Sequence, residues 1–177
     1  MKLNSRESIE ILKYALKREK ETAAFYNECI GKSKSSGTRE ILKGLAADED
    51  RHAKIVSRLI AEAQKDSSSL SVETAPTESA KKRLEHALKS SAMTDKSFSA
   101  ESASVQEMLK KALEIEKESF DTYAKAAHDA EEDELKAIFK FLSDEENKHY
   151  VMIDNLIDYL DDPGRWLYEE ENLIFRL

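Results

Sequence analysis

The chain has 177 residues, 36% of them charged, with a formal net charge of -8 at pH 7 and only 4 glycines and 2 prolines. This length fits one domain with its own core, the abundance of helix formers predicts an all-α fold, and the acidic balance without a clustered basic face excludes nucleic-acid binding through phosphate neutralisation. The single cysteine, Cys29, excludes a disulfide framework within the chain. No apolar run approaches the ~20 residues that span a bilayer. We therefore expect an untargeted cytoplasmic protein without membrane partners.

The first two helices are indicated by capping signals, each followed by a helical period of apolar residues. Asn4 with Glu7 three residues later forms a capping-box pattern, which predicts a helix from there to about Ile30. The stretch GKSKSSG then interrupts the periodicity, and Thr38 is a suitable cap for a second helix that runs to about Gln64. Together these elements predict a helical hairpin.

A long polar connector separates this hairpin from the next one. Residues 66–102 are rich in Ser, Thr, Lys and Ala and are predicted to form a crossover that travels the length of the bundle. Ser104 with Glu107 repeats the capping-box pattern and predicts a third helix that ends at about His128.

The fourth helix is predicted to follow almost directly. Its first turn is acidic, which suits the positive end of a helix dipole, and the motif Asp162-Pro163-Gly164 ends it. The acidic residues of this predicted turn are Glu131, Glu132, Asp133 and Glu134. We therefore expect one bundle domain over residues 1–162, followed by a short helical tail, 163–177, whose apolar residues dock on the bundle or on a second subunit.

An internal repeat relates the two predicted hairpins. Shifting the first hairpin by 97 residues, the separation of Glu19 and Glu116, lays the apolar seam of each helix on that of its counterpart. The seams are interrupted at mid-height by polar residues that also repeat, namely four glutamates, two histidines and two tyrosines. They are Glu19, Tyr26, Glu49 and His52 in the first hairpin and Glu116, Tyr123, Glu146 and His149 in the second. Because seam residues face the core, these side chains are predicted to be buried.

Four buried carboxylates indicate a metal centre. An unpaired carboxylate in an apolar interior is costly or takes up a proton, so each of the four needs a strong partner. No lysine or arginine falls on the four seams, whereas two divalent cations would balance the charge. Residues three apart share one face of a helix, so Glu49 and His52 can reach the same cluster, as can Glu146 and His149. Carboxylate with neutral imidazole suits iron, manganese or zinc, and the residues alone do not choose between these metals.

These motifs resemble the rubrerythrin branch of the ferritin-like superfamily over about residues 8–160. The resemblance rests on a tyrosine seven residues after a glutamate in two helices and on the motifs ADEDRH and SDEENKH. It implies a ferritin-like four-helix bundle with a di-iron centre, in which two helices each supply one glutamate and the other two each supply Glu-x-x-His. By this resemblance, Glu49 and Glu146 bridge the two metal ions and Glu19 and Glu116 are terminal ligands. His52 and His149 each bind one of the two irons.

The two repeated tyrosines have two interpretations. By the resemblance, Tyr26 and Tyr123 are candidate catalytic residues that lie just outside the ligands. The alternative is ordinary core packing, with each hydroxyl bound by a carboxylate two turns away.

The resemblance also implies a redox enzyme. Rubrerythrins reduce hydrogen peroxide at a non-haem di-iron centre in oxidative-stress defence, and we expect this protein to do so as a homodimer. They usually carry a rubredoxin module with four cysteines, whereas this chain has only Cys29, so the expected electron donor is an external, rubredoxin-like protein. They also carry an additional glutamate about one turn beyond the third-helix ligand. In this chain Ser119 lies in that neighbourhood, and Glu118 is predicted to point to a different face.

Two other functions stay open at this point. A ferroxidase or iron-storage protein of the ferritin or bacterioferritin type would oxidise ferrous iron with dioxygen or peroxide and store it in a shell of subunits. Bound haem is not expected, because none of the four methionines lies on the second helix. The third possibility is a non-enzymatic bundle that is metal-free or binds zinc.

Overall fold

The computed structural model describes residues 5–63 and 101–162. Within these ranges the chain forms four helices, and the predicted all-α class is confirmed. The helices are α1 (Ser5–Lys32), α2 (Ser36–Ala63), α3 (Ala103–Asp129) and α4 (Asp133–Asp161). Asn4, most of the connector 66–102 and the tail 163–177 lie outside the described residues. No helix in the described ranges has an apolar stretch long enough to cross a bilayer.

The four helices form two hairpins that face each other. α1 packs along α2 and α3 packs along α4, while across the bundle α1 packs on α3 more closely than α2 packs on α4. Tyr26 of α1 contacts Glu116 of α3, and Tyr123 of α3 contacts Glu19 of α1, so α1 and α3 run in opposite directions. This arrangement confirms the predicted ferritin-like four-helix bundle.

The apolar core is divided into two clusters, and all four helices contribute to both. One cluster contains Leu45 and Leu156, near the end of the bundle where α3 begins. The other contains Leu12 and Phe139, near the end where α3 stops. Burial of one such side chain contributes about 1.5–3 kcal/mol, so the two clusters together can offset the cost of a polar layer between them.

Small side chains line the contact between α1 and α3. Each helix carries three small buried residues at intervals of seven, and the α3 set lies 97 residues after the α1 set. They are Ala15, Thr22 and Cys29 on α1 and Ala112, Ser119 and Ala126 on α3. Ala15 shares its core cluster with Ala126, and Cys29 shares its cluster with Ala112, as an antiparallel contact requires. Because small side chains let two helix axes approach, we infer that this set makes the α1–α3 contact the closer one.

The turn between α1 and α2 is bound to the last residues before α3. The Ser35 hydroxyl accepts a hydrogen bond from the Thr38 backbone N–H at 3.0 Å, so Ser35 is the cap of α2. The prediction that Thr38 caps this helix is wrong. The Glu101 carboxylate accepts hydrogen bonds from the backbone N–H groups of Lys34 and Ser35. These bonds hold the chain entering α3 against the α1–α2 turn.

The start of α3 also differs from the prediction. Ser102 caps the helix, because its side chain accepts a hydrogen bond from the Val105 backbone N–H and its backbone is extended (φ −70°, ψ 152°). Ser104, the predicted cap, lies inside the first turn and is exposed. Only Ser104 fits the capping-box pattern, but serine is a suitable cap residue at either position, and the contacts of Glu101 favour the earlier one.

α4 begins two residues later than predicted. Its first helical residue is Asp133, and Glu132 occupies the cap position, so Glu131 and Glu132 precede the helix instead of forming its first turn. The helix ends at Asp161, directly before the Asp162-Pro163-Gly164 motif, as the sequence predicts.

Replacing Ser102 by alanine is expected to destabilise the fold by about 1 kcal/mol, because the Val105 backbone N–H loses its side-chain acceptor at the helix N-terminus. Ser104→Ala is the matched control and should be neutral or slightly stabilising, since the residue lies within the helix and alanine is the better helix former. Urea unfolding followed by circular dichroism measures both. Equal destabilisation by the two substitutions would contradict the assignment of Ser102 as the cap.

Candidate metal centre

The polar residues predicted from the repeat meet in one layer between the two apolar clusters. All four helices contribute, and none of the six residues is more than 2% exposed. They are Glu19, Glu49, His52, Glu116, Glu146 and His149. The prediction that these residues lie together in the core therefore agrees with the structure; that they bind metal stays a prediction.

The six side chains form two overlapping groups that could each hold a metal ion. Within a group, one ligand atom from every residue lies within 4.8 Å of those of the others. The first group is Glu19, Glu49, His52 and Glu146, and the second is Glu49, Glu116, Glu146 and His149. Glu49 and Glu146 belong to both groups, which is the position that two bridging carboxylates require.

The spacing of the inward-facing atoms suits ligands around one ion. His52 Nδ1 lies 3.5 Å from Glu19 Oε2, 3.6 Å from Glu49 Oε2 and 3.6 Å from an oxygen of Glu146. Metal bonds of ~2.1 Å place neighbouring ligand atoms ~3.0–3.5 Å apart. The geometry is therefore close to that of a metal-bound site.

Unsatisfied polar atoms in this layer fit the same interpretation. Seven buried ligand atoms, at least one from each of the six residues, have no hydrogen-bond partner among the described residues. Glu49 Oε1 and His149 Nδ1 are 2.7 Å apart, yet without hydrogen-bond geometry. Buried polar atoms are normally hydrogen-bonded, so a group of orphans that converge on one place calls for an ion. The donor set of carboxylates and imidazoles fits two divalent cations.

The two tyrosines bind the terminal glutamates in a crossed pattern. The Tyr26 hydroxyl donates a hydrogen bond to Glu116, and the Tyr123 hydroxyl donates one to Glu19 at 2.7 Å. Each hydroxyl therefore binds the glutamate of the other helix and not the one two turns earlier on its own helix, which lies ~10 Å away along the axis. A catalytic role for the tyrosines stays a prediction. The antiparallel packing of α1 and α3 brings the glutamate of the other helix within reach.

Comparison with known families assigns the chain. The family model Rubrerythrin matches residues 10–157, a range that includes all six candidate ligands and both tyrosines. The chain belongs to the rubrerythrin family. This confirms the resemblance read from the sequence motifs. Neither the curated proteins nor the solved structures that were compared with the chain gave a match.

The two glutamates that both candidate ligand groups share have carboxyl groups that resist ionisation when no metal is bound. Burial raises the pKa of Glu49 to about 7, despite the opposing effect of His149. Burial, followed by the charge of Glu49, raises the pKa of Glu146 well above its usual value. For Glu19, burial also raises the pKa, but the nearby side chains of Glu49 and His52 outweigh burial and the pKa falls to about 2. The carboxyl group of Glu19 therefore ionises far more readily than those of the two shared glutamates.

The two imidazoles are protonated in the absence of metal. Burial lowers the pKa of His52, but the nearby carboxyl groups of Glu145, Glu19 and Glu49 outweigh burial and raise it to about 10. Burial is likewise outweighed at His149, chiefly by the charge of Glu49, and its pKa lies well above the usual value. Metal ions therefore have to displace protons from this centre.

Metal binding is expected to release protons and to weaken in acid. At pH 7 His52 and His149 of the metal-free protein are cationic, whereas a histidine that binds a metal ion must be neutral. Filling both metal positions should therefore release about two protons from the histidines. The shared carboxyl groups should release more. Calorimetric titration of the metal-free protein with Fe²⁺ without oxygen, in buffers of different ionisation enthalpy, counts them. A binding enthalpy that is independent of the buffer would contradict this prediction.

Two further carboxylates lie behind the histidines, and the sequence reasoning missed both. His52 Nε2 is 3.4 Å from Glu145 Oε2, and His149 Nε2 is 3.5 Å from Asp48 Oδ2. Asp48 and Glu145 are 97 residues apart and each directly precedes a shared glutamate, so the repeat extends to them. The signal available in the sequence was the acidic residue before each Glu-x-x-His, visible in ADEDRH and SDEENKH. A carboxylate at the outer nitrogen orients an imidazole and directs its other nitrogen to the metal.

Glu145 is itself held by cations. Arg51 Nη2 lies 2.7 Å from Glu145 Oε2, and Lys148 contacts the other oxygen. Burial acts to raise the pKa of Glu145, but hydrogen bonds with His52, Lys148 and Arg51 outweigh it and hold the pKa far below its usual value. Glu145 is therefore an ionised carboxylate, although the residue is buried and only 3% exposed.

Proposed function

We propose that this protein is a non-haem di-iron oxidoreductase that reduces hydrogen peroxide with electrons from an external donor protein. The observation that carries the proposal is the pair of overlapping ligand groups that share Glu49 and Glu146. Membership of the rubrerythrin family supports iron as the metal, although the ligand types would also accept manganese or zinc. A pair of ferrous ions held here would supply two electrons and stabilise negative charge on the bound oxidant.

In this proposal each residue of the polar layer has a defined task. Glu49 and Glu146 would hold both ions, Glu19 with His52 would complete one position, and Glu116 with His149 would complete the other. The tasks of Tyr26 and Tyr123 follow from their hydrogen bonds to the terminal glutamates, which would keep one carboxylate oxygen occupied and the other turned inward. Burial and the adjacent Glu116 and Glu19 raise the pKa values of the tyrosines well above the usual range, so both hydroxyls keep their protons and can donate.

The apolar clusters on either side of the polar layer would allow only small oxidants to reach it. The only cysteine of the chain, Cys29, is buried, and one thiol cannot form a four-cysteine electron-transfer site. We therefore propose a rubredoxin-like donor outside this chain. We also propose that the protein acts in the cytoplasm as a homodimer, which size-exclusion chromatography and cell fractionation test.

A specific observation favours a second candidate, a ferroxidase or iron-storage protein. Ser119 lies where rubrerythrins carry their additional glutamate, and it is buried one turn beyond Glu116. Glu118 is exposed and pairs with Arg18 at 3.1 Å, so it does not replace the missing carboxylate. A mechanism in which a carboxylate switches between ligand positions has no such carboxylate at Ser119.

Rapid-mixing experiments on protein that is prepared without oxygen separate the two functions. The protein loaded with ferrous iron is mixed with hydrogen peroxide and, separately, with dioxygen, while the oxidation of iron is followed by absorbance. Oxidation at least tenfold faster with peroxide, followed by re-reduction with a rubredoxin, supports the proposed enzyme. Faster oxidation by dioxygen with continued iron uptake into a large particle supports storage instead. Metal analysis of anaerobically purified protein that found only zinc, or no metal, would favour the non-enzymatic bundle.

A further inference from the structure

Arg51 links the two hairpins just outside the metal-binding layer. It lies on α2 next to His52, with 29% of its side chain exposed, and its guanidinium reaches across the bundle to Glu145 on α4. The distance from Arg51 Nη2 is 2.7 Å to Glu145 Oε2 and 3.6 Å to Asp48 Oδ1. Of these two carboxylates, Arg51 therefore binds the one behind His52 more tightly.

The oxygen that Arg51 binds is also the one that faces the imidazole. Glu145 Oε2 lies 3.4 Å from His52 Nε2, and Arg51 Nη2 lies 3.3 Å from the same nitrogen. Arg51 and His52 therefore share the Glu145 carboxylate and also contact each other. A carboxylate that accepts from Nε2–H keeps the proton on Nε2 and leaves the Nδ1 lone pair for a metal. The Phe141 ring meets the His52 ring edge-on, with centroids 6.2 Å apart and planes at 83°, which further restricts the orientation of the imidazole.

The internal repeat is broken at these positions. Arg51 corresponds to Lys148, and Phe141 corresponds to Gly44, whereas the six candidate ligands repeat without change. A lysine is a point charge and cannot present two donors in a fixed fork, and a glycine has no ring to pack against a histidine. The surroundings of the two imidazoles therefore differ, although the ligands themselves are symmetric.

We propose that Arg51 is a positioning residue for one of the two metal positions, the one formed by Glu19 and His52, and that it acts through Glu145. The position formed by Glu116 and His149 should depend on Arg51 much less. This inference rests on the metal-binding part of the proposed function and not on the reaction with peroxide. Loss of an outer partner of a metal-bound histidine commonly reduces affinity ten- to hundredfold, and that is the effect expected for Arg51→Met at the His52 position.

The test measures Co²⁺ binding to the metal-free full-length chain in two backgrounds. His149→Ala leaves the ligand group of Glu19 and His52 intact, and His52→Ala leaves the group of Glu116 and His149 intact. In each background Arg51 is compared with Arg51→Met, with binding followed by calorimetry and by the visible absorption of Co²⁺. Arg58→Met, at an exposed arginine two turns further along α2, is the matched control.

The expected result is a ten- to hundredfold weaker affinity for Arg51→Met in the His149→Ala background and a change of less than threefold in the His52→Ala background. Arg51→Lys should recover part of the affinity, because a cation near Glu145 returns, and the Co²⁺ spectrum should return toward that of the parent. Equal losses in both backgrounds would show a general structural role and overturn the proposal, as would no change in either.

The outcomes also separate this inference from the proposed function. A wild-type protein that binds two Co²⁺ ions and shows the selective effect of Arg51→Met, yet reduces no peroxide when loaded with iron, would support the role of Arg51 and overturn only the proposed reaction. A wild-type protein that binds no Co²⁺ would overturn both. Circular dichroism of each metal-free variant confirms that the fold is retained before affinities are compared.

Discussion

Replacing both shared glutamates, Glu49 and Glu146, by glutamine is expected to abolish the binding of both metal ions. Each of these residues belongs to both ligand groups, so their loss removes two of the four ligands from each position. Glutamine keeps the size of the side chain and removes the charge that a divalent cation requires. After anaerobic loading with Fe²⁺ and gel filtration, elemental analysis should find fewer than about 0.2 ions per chain, against about two for the wild type.

The same double variant should be more stable than the wild type when metal is absent. Burial raises the pKa of Glu49 from 4.5 to about 7, so the fold disfavours its ionised form, and the stability of the metal-free wild type falls as the pH rises from 4.5 through 7. Glutamine does not ionise, so at pH 8 the variant should be more stable by about 1–3 kcal/mol in urea unfolding. A metal-free variant that is less stable than the wild type would contradict the view that this layer is built for cations.

Single substitutions provide the comparison for this experiment. His52→Ala and His149→Ala each remove a ligand from one group only, so each variant should retain about one ion. Glu40→Gln with Glu134→Gln is the matched control, because both glutamates are exposed on the same two helices as the shared ones. The control pair should bind two ions like the wild type.

Removing bound iron with a chelator is expected to lower the midpoint of thermal unfolding by about 10 °C or more. A ligand that binds only the folded state at a thousand times its dissociation constant contributes about 4 kcal/mol per site, and 1 kcal/mol shifts the midpoint of a domain of this size by about 2–4 °C. Differential scanning calorimetry of loaded and chelated protein under nitrogen measures the difference. The variant with glutamine at positions 49 and 146 should show no response to either metal or chelator.

The pH dependence of this shift has a definite sign. The pKa of His52 is raised to about 10 from 6.5, so its contribution to the stability of the metal-free protein is fully present below 6.5 and is lost as the pH rises toward 10. Glu49 also stabilises the metal-free protein less as the pH rises through 7. Because bound metal replaces these protons, the gap between the loaded and the chelated midpoints should widen from pH 6.5 to pH 9. A gap that narrows over this range would refute the assignment of protonated histidines.

The polar layer was predictable because its signal combines two independent regularities. Helical periodicity places Glu19, Glu49, His52 and their repeated counterparts on apolar seams, and a carboxylate on such a seam is too costly to bury without a counter-charge. The repeat then makes a chance occurrence improbable. None of this depends on how the helices are oriented relative to each other.

The site residues and helix caps that the sequence did not predict correctly share one physical cause. Asp48 and Glu145 lie one residue from the seams, about 100° around the helix, where the neighbouring helix decides whether a side chain is covered. At the caps Ser35 and Ser102, the deciding contact is the one between Glu101, which directly precedes Ser102, and the backbone N–H of Ser35, 66 residues away. In each case a local pattern allowed two solutions, and a long-range contact selected one.

By itself, the sequence determined the all-α class, the two repeated hairpins and the six polar residues that share one level of the core. The tertiary structure alone decided that each tyrosine binds the glutamate of the opposite helix and that Arg51 crosses to Glu145. The reason is that periodicity specifies the face of a helix on which a side chain lies, whereas distances between side chains on different helices depend on the direction, spacing and rotation of the packed helices.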